Sequence, residues 1–216
     1  MAGCGRVSQV QSAEVPALIA YALGVFWLER RANMTKAPRR FYDRDPVTVA
    51  QELLGMNLVH VSRGVRRVGR IVEVEAYLGP RDLASHSSKG RTARTEVMFG
   101  PPGHAYVYMI YGLHYCMNVI TGPEGTATAV LLRALEPVHN LTGRTCGPGL
   151  LCKAMHINLR QNGSDLLAES LYVEAPTQVV RGGIVRRRRI GVEYAGSWAK
   201  RLLRFYLKDS SCISRP

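Results

Sequence analysis

Apolar and polar residues run through this chain in two rhythms, a short-lived helical period near each end of the middle region and a two-residue alternation between them. Residues 1–33 stand apart. Their apolar run, Pro16 to Leu28, spans about 13 residues, whereas a bilayer span needs roughly 20. The charges Glu29, Arg30 and Arg31 follow that run, where a secretory signal would place its cationic segment first. Met34 offers a second start. Residues 1–33 therefore read as an N-terminal extension, loosely packed or upstream of the true start.

After Asp45-Pro46, apolar Val49, Leu53 and Leu54 followed by Gly55 predict a short amphipathic helix with a glycine stop. Leu58 to Val61 and Val68 to Tyr77 alternate on either side of Ser62-Arg63-Gly64 and predict a β-hairpin. Arg81 to Thr95 is polar and aperiodic, a long surface loop of the kind that carries function, closed by Gly100-Pro101-Pro102-Gly103. Ala105 to Ile120 is rich in β-branched and aromatic residues, which predicts two strands meeting at Tyr111-Gly112. Thr128 to Ala134 reads as a further strand, and Cys146 to Leu159 as a late helix opened by a Gly-Pro turn. Strand-like patterning returns from Arg186 to Leu207. At 216 residues, the chain fits one domain better than two.

Composition adds a partner class. With 46% hydrophobic and 21% charged residues the chain can bury a core, and 29 Lys and Arg against 16 Asp and Glu leave a net charge of +13, which attracts polyanions. Arg181, Arg186, Arg187, Arg188, Arg189, Lys200, Arg201 and Arg204 face only Glu193 within their segment. Each alone reads as a solvated charge, but alternate members of the run would line a phosphate track. The cysteines, Cys4, Cys116, Cys146, Cys152 and Cys212, are odd in number and lack Cys-x-x-Cys or zinc-type spacing, so a reducing compartment is the default expectation.

Three features suggest chemistry. Glu73 and Glu75 share one strand face and Val72, Val74 and Ala76 the other, so the pair is either a solvated face or holds a carboxylate that activates water; spacing does not say which glutamate. Tyr106, Tyr108, Tyr111 and Tyr115 crowd ten residues, and Tyr111, beside Gly112 at a turn, should be exposed and able to wedge into a base stack. Arg133 interrupts the apolar strand 129–132; a buried arginine needs a carboxylate, for which Glu75 would serve, in a catalytic or merely structural pair.

GRIVEVEAYLGPRDLASHSSKGRT (Gly69–Thr92), MFGPPGHAYVYMIYGLHYCMNVI (Met98–Ile120) and AVLLRALEP (Ala129–Pro137) resemble the alkyladenine (methylpurine) DNA glycosylase family, with weaker likeness in CGPGLLCKAMHIN and RRIGVEYAGSWAKRLLRFY. The resemblance covers most of 41–207. It implies an α+β fold, a single compact domain over 34–210 with a curved antiparallel sheet, a protruding β-hairpin and flanking helices, followed by a tail at 211–216. It also implies a monofunctional DNA repair glycosylase that flips damaged purines, alkylated or deaminated, out of duplex DNA and hydrolyses the N-glycosidic bond. The partner would be double-stranded DNA, the chain a monomer with no metal and no other cofactor, and the compartment the nucleoid-associated cytoplasm of a bacterium or the nucleus of a eukaryote.

By the same resemblance Glu75 is the base that positions and deprotonates water, and Arg133 helps to hold that water. Tyr77, His86 and Tyr108 wall the extruded purine, Asn118 obstructs the amino group of guanine, and Tyr111 fills the vacated stack. No lysine accompanies the motif as a Schiff-base nucleophile, so no strand cleavage is expected. The sequence departs from the family in a short segment between Pro137 and Cys146 and in leucines at 150 and 151 where relatives commonly carry a lysine; Arg186 to Arg189 would compensate in holding the DNA backbone. The alternatives are a non-catalytic nucleic-acid-binding module on the same fold and a basic RNA-associated protein whose tyrosines are ordinary core.

Overall fold

Two short helices open the folded region because proline and aspartate set their starts. In this computed structural model, which describes residues 36–175 and 183–215, α1 (Arg39–Tyr42) is a single turn that buries Phe41 and Tyr42. In α2 (Pro46–Leu53), Asp45 accepts a hydrogen bond from the Thr48 backbone N–H at 2.9 Å and Pro46 fills the first helical position, where no N–H is needed. Val49, Ala50 and Leu53 of α2 face the core, and Gly55, at φ 86°, ends the element. The expectations for residues 1–33 and for Arg181 lie outside the described residues.

The predicted first hairpin is β1 (Asn57–Ser62) and β2 (Val65–Tyr77), joined through Arg63 and Gly64, both at positive φ, as a two-residue hairpin loop requires. The second is β3 (Ala105–Ile110) and β4 (His114–Thr121), with Tyr111 and Gly112 at the turn. β5 (Thr128–His139) follows, then α3 (Pro148–Met155), β6 (Leu171–Glu174), β7 (Ile184–Arg187) and β8 (Arg204–Leu207). These strands form one curled antiparallel sheet in the order β3-β4-β5-β2-β1-β6, with β8 on the second half of β2 and β7 beyond it. Strand β2 is the axis: β5 pairs along one edge, while β1 and then β8 take the other.

Both faces of β2 are covered. Val72, Val74 and Ala76 enter the main core with Leu53, Leu135 and Leu151 from the helices and β5. Glu73 and Glu75, on the opposite face, are fully buried as well, which corrects the solvated-face reading. Over that face lie the loop after β2 and the segment after β7, where Ala84, Val192 and Ala195 cluster with Tyr77. An ion pair ties the two segments together: Arg189 Nη2 meets Asp82 Oδ1 at 2.8 Å, and both side chains are inaccessible to solvent. Arg189 therefore leaves the exposed run to which the sequence assigned it, because β7 ends at Arg187 and the chain turns inward there; Arg186, Arg187 and Arg188 stay exposed. Strand patterning between Arg186 and Leu207 is also interrupted, by a 3₁₀ stretch over Glu193–Lys200 that breaks at Gly196. Cys146 and Cys212 form a disulfide, and Cys116 and Cys152 are free and buried. Among the described residues no helix is long and apolar enough to cross a membrane.

Gly79, just past β2, has φ +84°, and a Cβ there would lie 2.5 Å from the Thr126 carbonyl oxygen. Gly79→Ala is expected to cost about 1–3 kcal/mol through clash and backbone strain, read as a lowered urea midpoint. Asp82→Asn removes the only carboxylate within ion-pair distance of Arg189 among the described residues. The uncompensated buried guanidinium should cost about 3–5 kcal/mol, measured by the same denaturation.

Candidate active site

Antiparallel register brings residues far apart in sequence into one row. Arg204 of β8 lies opposite Glu75 of β2, Glu75 opposite Leu131 of β5, Leu131 opposite Asn118 of β4, and Asn118 opposite Tyr106 of β3. Directly paired residues share a sheet face, so this row forms a floor on the side away from the helices. One strand period to one side of the row, Tyr77 stands opposite Ala129; one period to the other side, Tyr108 stands opposite Cys116. Above the floor is a cavity of roughly 250 Å³, lined by Tyr77, His86, Tyr108, Asn118, Arg133 and, at its edge, Tyr111. Pockets for drug-sized ligands run about 300–1,000 Å³, so this one suits a single ring system.

Glu75 sits behind the cavity wall. Its Oε1 accepts from the Ile190 backbone N–H at 2.9 Å and pairs with Arg133 Nη1 at 3.2 Å, and its Oε2 accepts from the Tyr77 hydroxyl at 2.9 Å. Three donors fill three of the roughly four acceptor positions of a carboxylate. Among the described residues, one position on Oε2 is left for a further proton donor. Arg133 reaches both glutamates because the β2–β5 ladder slips: Glu73 pairs with Ala134 and Val74 with Leu132, so Arg133 is the extra residue of a bulge. Bulges re-aim side chains and recur beside active sites. Burial by itself would lower the Arg133 pKa, but Glu75 and then Glu73 raise it, so the guanidinium stays charged. The expected partner Glu75 is present, and Glu73 is a second.

The walls are phenols and one imidazole. Burial, followed by Glu75, pushes the Tyr77 phenol well above its ordinary value, so it remains a donor to that carboxylate. The Arg189 guanidinium lies 4.7 Å from the centre of the Tyr77 ring. His86, carried by a 3₁₀ turn after Ser85, shares a 2.9 Å hydrogen bond between its Nδ1 and the Tyr106 hydroxyl and meets the Tyr108 ring edge-on at 4.5 Å. Burial and then Arg94 lower its pKa, which keeps the imidazole neutral at pH 7. Burial also raises the Tyr108 phenol. Asn118 is buried and donates from Nδ2 to the Tyr106 carbonyl at 3.2 Å.

Tyr111 is 89% exposed on the hairpin between β3 and β4, and Leu113 beside it is also exposed. The fold thus gathers Glu75, Arg133, Tyr77, His86, Tyr108 and Asn118 around one cavity, with Tyr111 at its edge. Arg186, Arg187 and Arg188 lie outside the lining. Sequence reasoning missed the Ile190 N–H, Asp82, Tyr194, which adds a hydroxyl bonded to the Ala84 carbonyl at the cavity edge, and Ser214 against Glu73. The partners of these groups lie roughly 107 to 141 positions away, beyond any local pattern.

The Methylpurine-DNA glycosylase (MPG) family model matches residues 40–211. A Legionella pneumophila (strain Corby) protein, provisionally named 3-methyladenine DNA glycosylase, is 57% identical over 182 residues, 84% of this chain and 100% of its own length. Relatives with the same provisional name in Anaeromyxobacter dehalogenans (strain 2CP-C) and Myxococcus xanthus (strain DK1622) are 54% and 50% identical, covering 84% of this chain and 87% and 95% of theirs. A match over most of the folded region, together with relatives that align along nearly their whole length, shows that this chain belongs to the methylpurine-DNA glycosylase family of DNA repair N-glycosylases.

Proposed function

We propose that this chain acts as a monomer on duplex DNA, draws an alkylated or deaminated purine into the aromatic cavity, and hydrolyses its bond to the sugar without cutting the strand. The observation that carries the reading is the juxtaposition of Arg133, in the wall of a cavity formed also by Tyr77, His86 and Tyr108, with Glu75 paired to it just behind. The attacking water gives its proton to Glu75 as its oxygen bonds to the sugar carbon. The purine departs with the electron pair of the N-glycosidic bond, leaving an abasic site. Arg133 steadies the water and the carboxylate. A cationic methylated purine is already a good leaving group and gains cation–π attraction from phenol faces, and neutral His86 adds no opposing charge.

Extruding a base costs a few kcal/mol, least for damaged or mispaired bases, and each stacked aromatic returns about 1–3 kcal/mol. Tyr111, exposed on its hairpin, would fill the vacated stack, and buried Asn118 would meet the amino group that marks guanine. Arg186, Arg187 and Arg188 would hold phosphates. The bacterial source of the similar proteins supports a nucleoid-associated cytoplasmic setting.

Release of hypoxanthine and 3-methyladenine from defined duplexes tests the reading. Glu75→Gln should lower the single-turnover rate by about 10²–10⁴-fold, the usual worth of a general base. Tight binding by the wild type without base release would instead establish a non-catalytic binding module. Replacing Arg186, Arg187 and Arg188 together with alanine should flatten the dependence of log affinity on log salt by about 0.9 for each phosphate no longer neutralised, and an unchanged slope removes them from the interface.

A further inference from the structure

The chain's last described residues were expected only as a tail, and 212–215 lie past the segment that matches the family. Yet Ser214 stands where the buried charges meet. Glu73 accepts from the Ser214 backbone N–H at 2.6 Å on Oε2, and on Oε1 from the Ser214 hydroxyl at 2.9 Å, Arg204 Nη1 at 2.9 Å and Arg133 Nε at 3.2 Å. The Ser214 hydroxyl in turn accepts from Arg133 Nη2 at 3.1 Å and Nε at 3.3 Å. A hydroxyl has one proton to give and two lone pairs to receive with, and this arrangement uses all three. One edge of the Arg133 guanidinium is thereby committed to Ser214 and Glu73, and its remaining arm, Nη1, meets Glu75 at 3.2 Å.

Two clamps hold the tail in this place. Arg204 Nη1 donates to the Arg215 carbonyl at 2.6 Å, and Cys212, two residues before Ser214, is disulfide-bonded to Cys146. Cys146 is itself bridged to Ala134, the neighbour of Arg133 on β5. The disulfide therefore fastens the tail to the strand that carries the arginine.

We propose that Ser214 is a positioning residue, which holds Arg133 at the angle that directs Nη1 to Glu75, and that the Cys146–Cys212 disulfide tethers it for that task. The proposal rests on the catalytic roles assigned above to Glu75 and Arg133. Without the hydroxyl, Arg133 Nη2 loses its bond to Ser214 and Nε keeps Glu73 alone, so the orientation that leaves Nη1 for Glu75 is held by one contact on that edge in place of three.

The test compares the full chain, Ser214→Ala, Ser214→Thr and Cys212→Ser, each with and without dithiothreitol, by single-turnover release of hypoxanthine at saturating protein. Protection of the Arg133 Nε–H from solvent exchange, read by ¹⁵N NMR, gives a second measure that needs no activity. Ser214→Ala should lower the protection, since Nε–H keeps only Glu73, and should lose about tenfold in rate, the size of one hydrogen bond to a charged group, while DNA affinity holds and Ser214→Thr restores both. Dithiothreitol should shift the wild type in the same direction and leave Cys212→Ser unmoved. Wild-type rate or wild-type protection in Ser214→Ala overturns the positioning role, and a wild type indifferent to reduction overturns the tether. A wild type that releases no base sinks the catalytic reading alone, since the exchange measurement still decides whether Ser214 holds Arg133.

Discussion

A carboxylate leaves water only where cations and N–H or O–H donors replace the water around it. Strand β2 takes two of them, Glu73 and Glu75, fully out of solvent on one face. Desolvating an ion costs several kcal/mol, so each glutamate obliges the fold to deliver partners. Those partners come from distant parts of the chain: Arg133 from a bulge in β5, Arg204 from β8, the Ile190 N–H from the segment after β7, and Ser214 from the tail. Two glutamates and two arginines balance to zero, and the neutral cluster fits a low-dielectric interior that no single member could enter.

The same arrangement surrounds the two carboxylates with different donors. Glu73 receives four donors, three of them on Oε1, and anchors both arginines. Glu75 receives three donors and lies behind Tyr77 and Arg133, which line the cavity. Arg189 serves the same end from behind, since its pairing with Asp82 holds a cation beneath the Tyr77 ring and pins the two loops that roof the cavity.

Much of this was legible locally. The Asp45-Pro46 start and Gly55 stop of the first amphipathic helix, the two hairpins, and the exposure of Tyr111 all follow from short-range backbone preferences, and each is found where the spacing placed it. The face shared by Glu73 and Glu75 follows from strand alternation, and the need of Arg133 for a carboxylate follows from its apolar neighbours. The reading of Arg189 as one more surface arginine failed because, past the end of β7, Arg188 stays exposed while its identical neighbour Arg189 is buried against Asp82. The cysteines carried no spacing signal, and only folding brings Cys146 and Cys212 together across 66 positions.

The sequence by itself determined which residues alternate, where the chain turns, and that its net charge of +13 favours a polyanion, because each is a property of neighbours or of a sum. The tertiary structure decided which donors each carboxylate receives, which arginine is buried, and that Ser214 bonds Glu73 and Arg133. These depend on strand register and on a one-residue bulge between segments 60 positions apart, where a shift of a single residue turns a side chain to the other face.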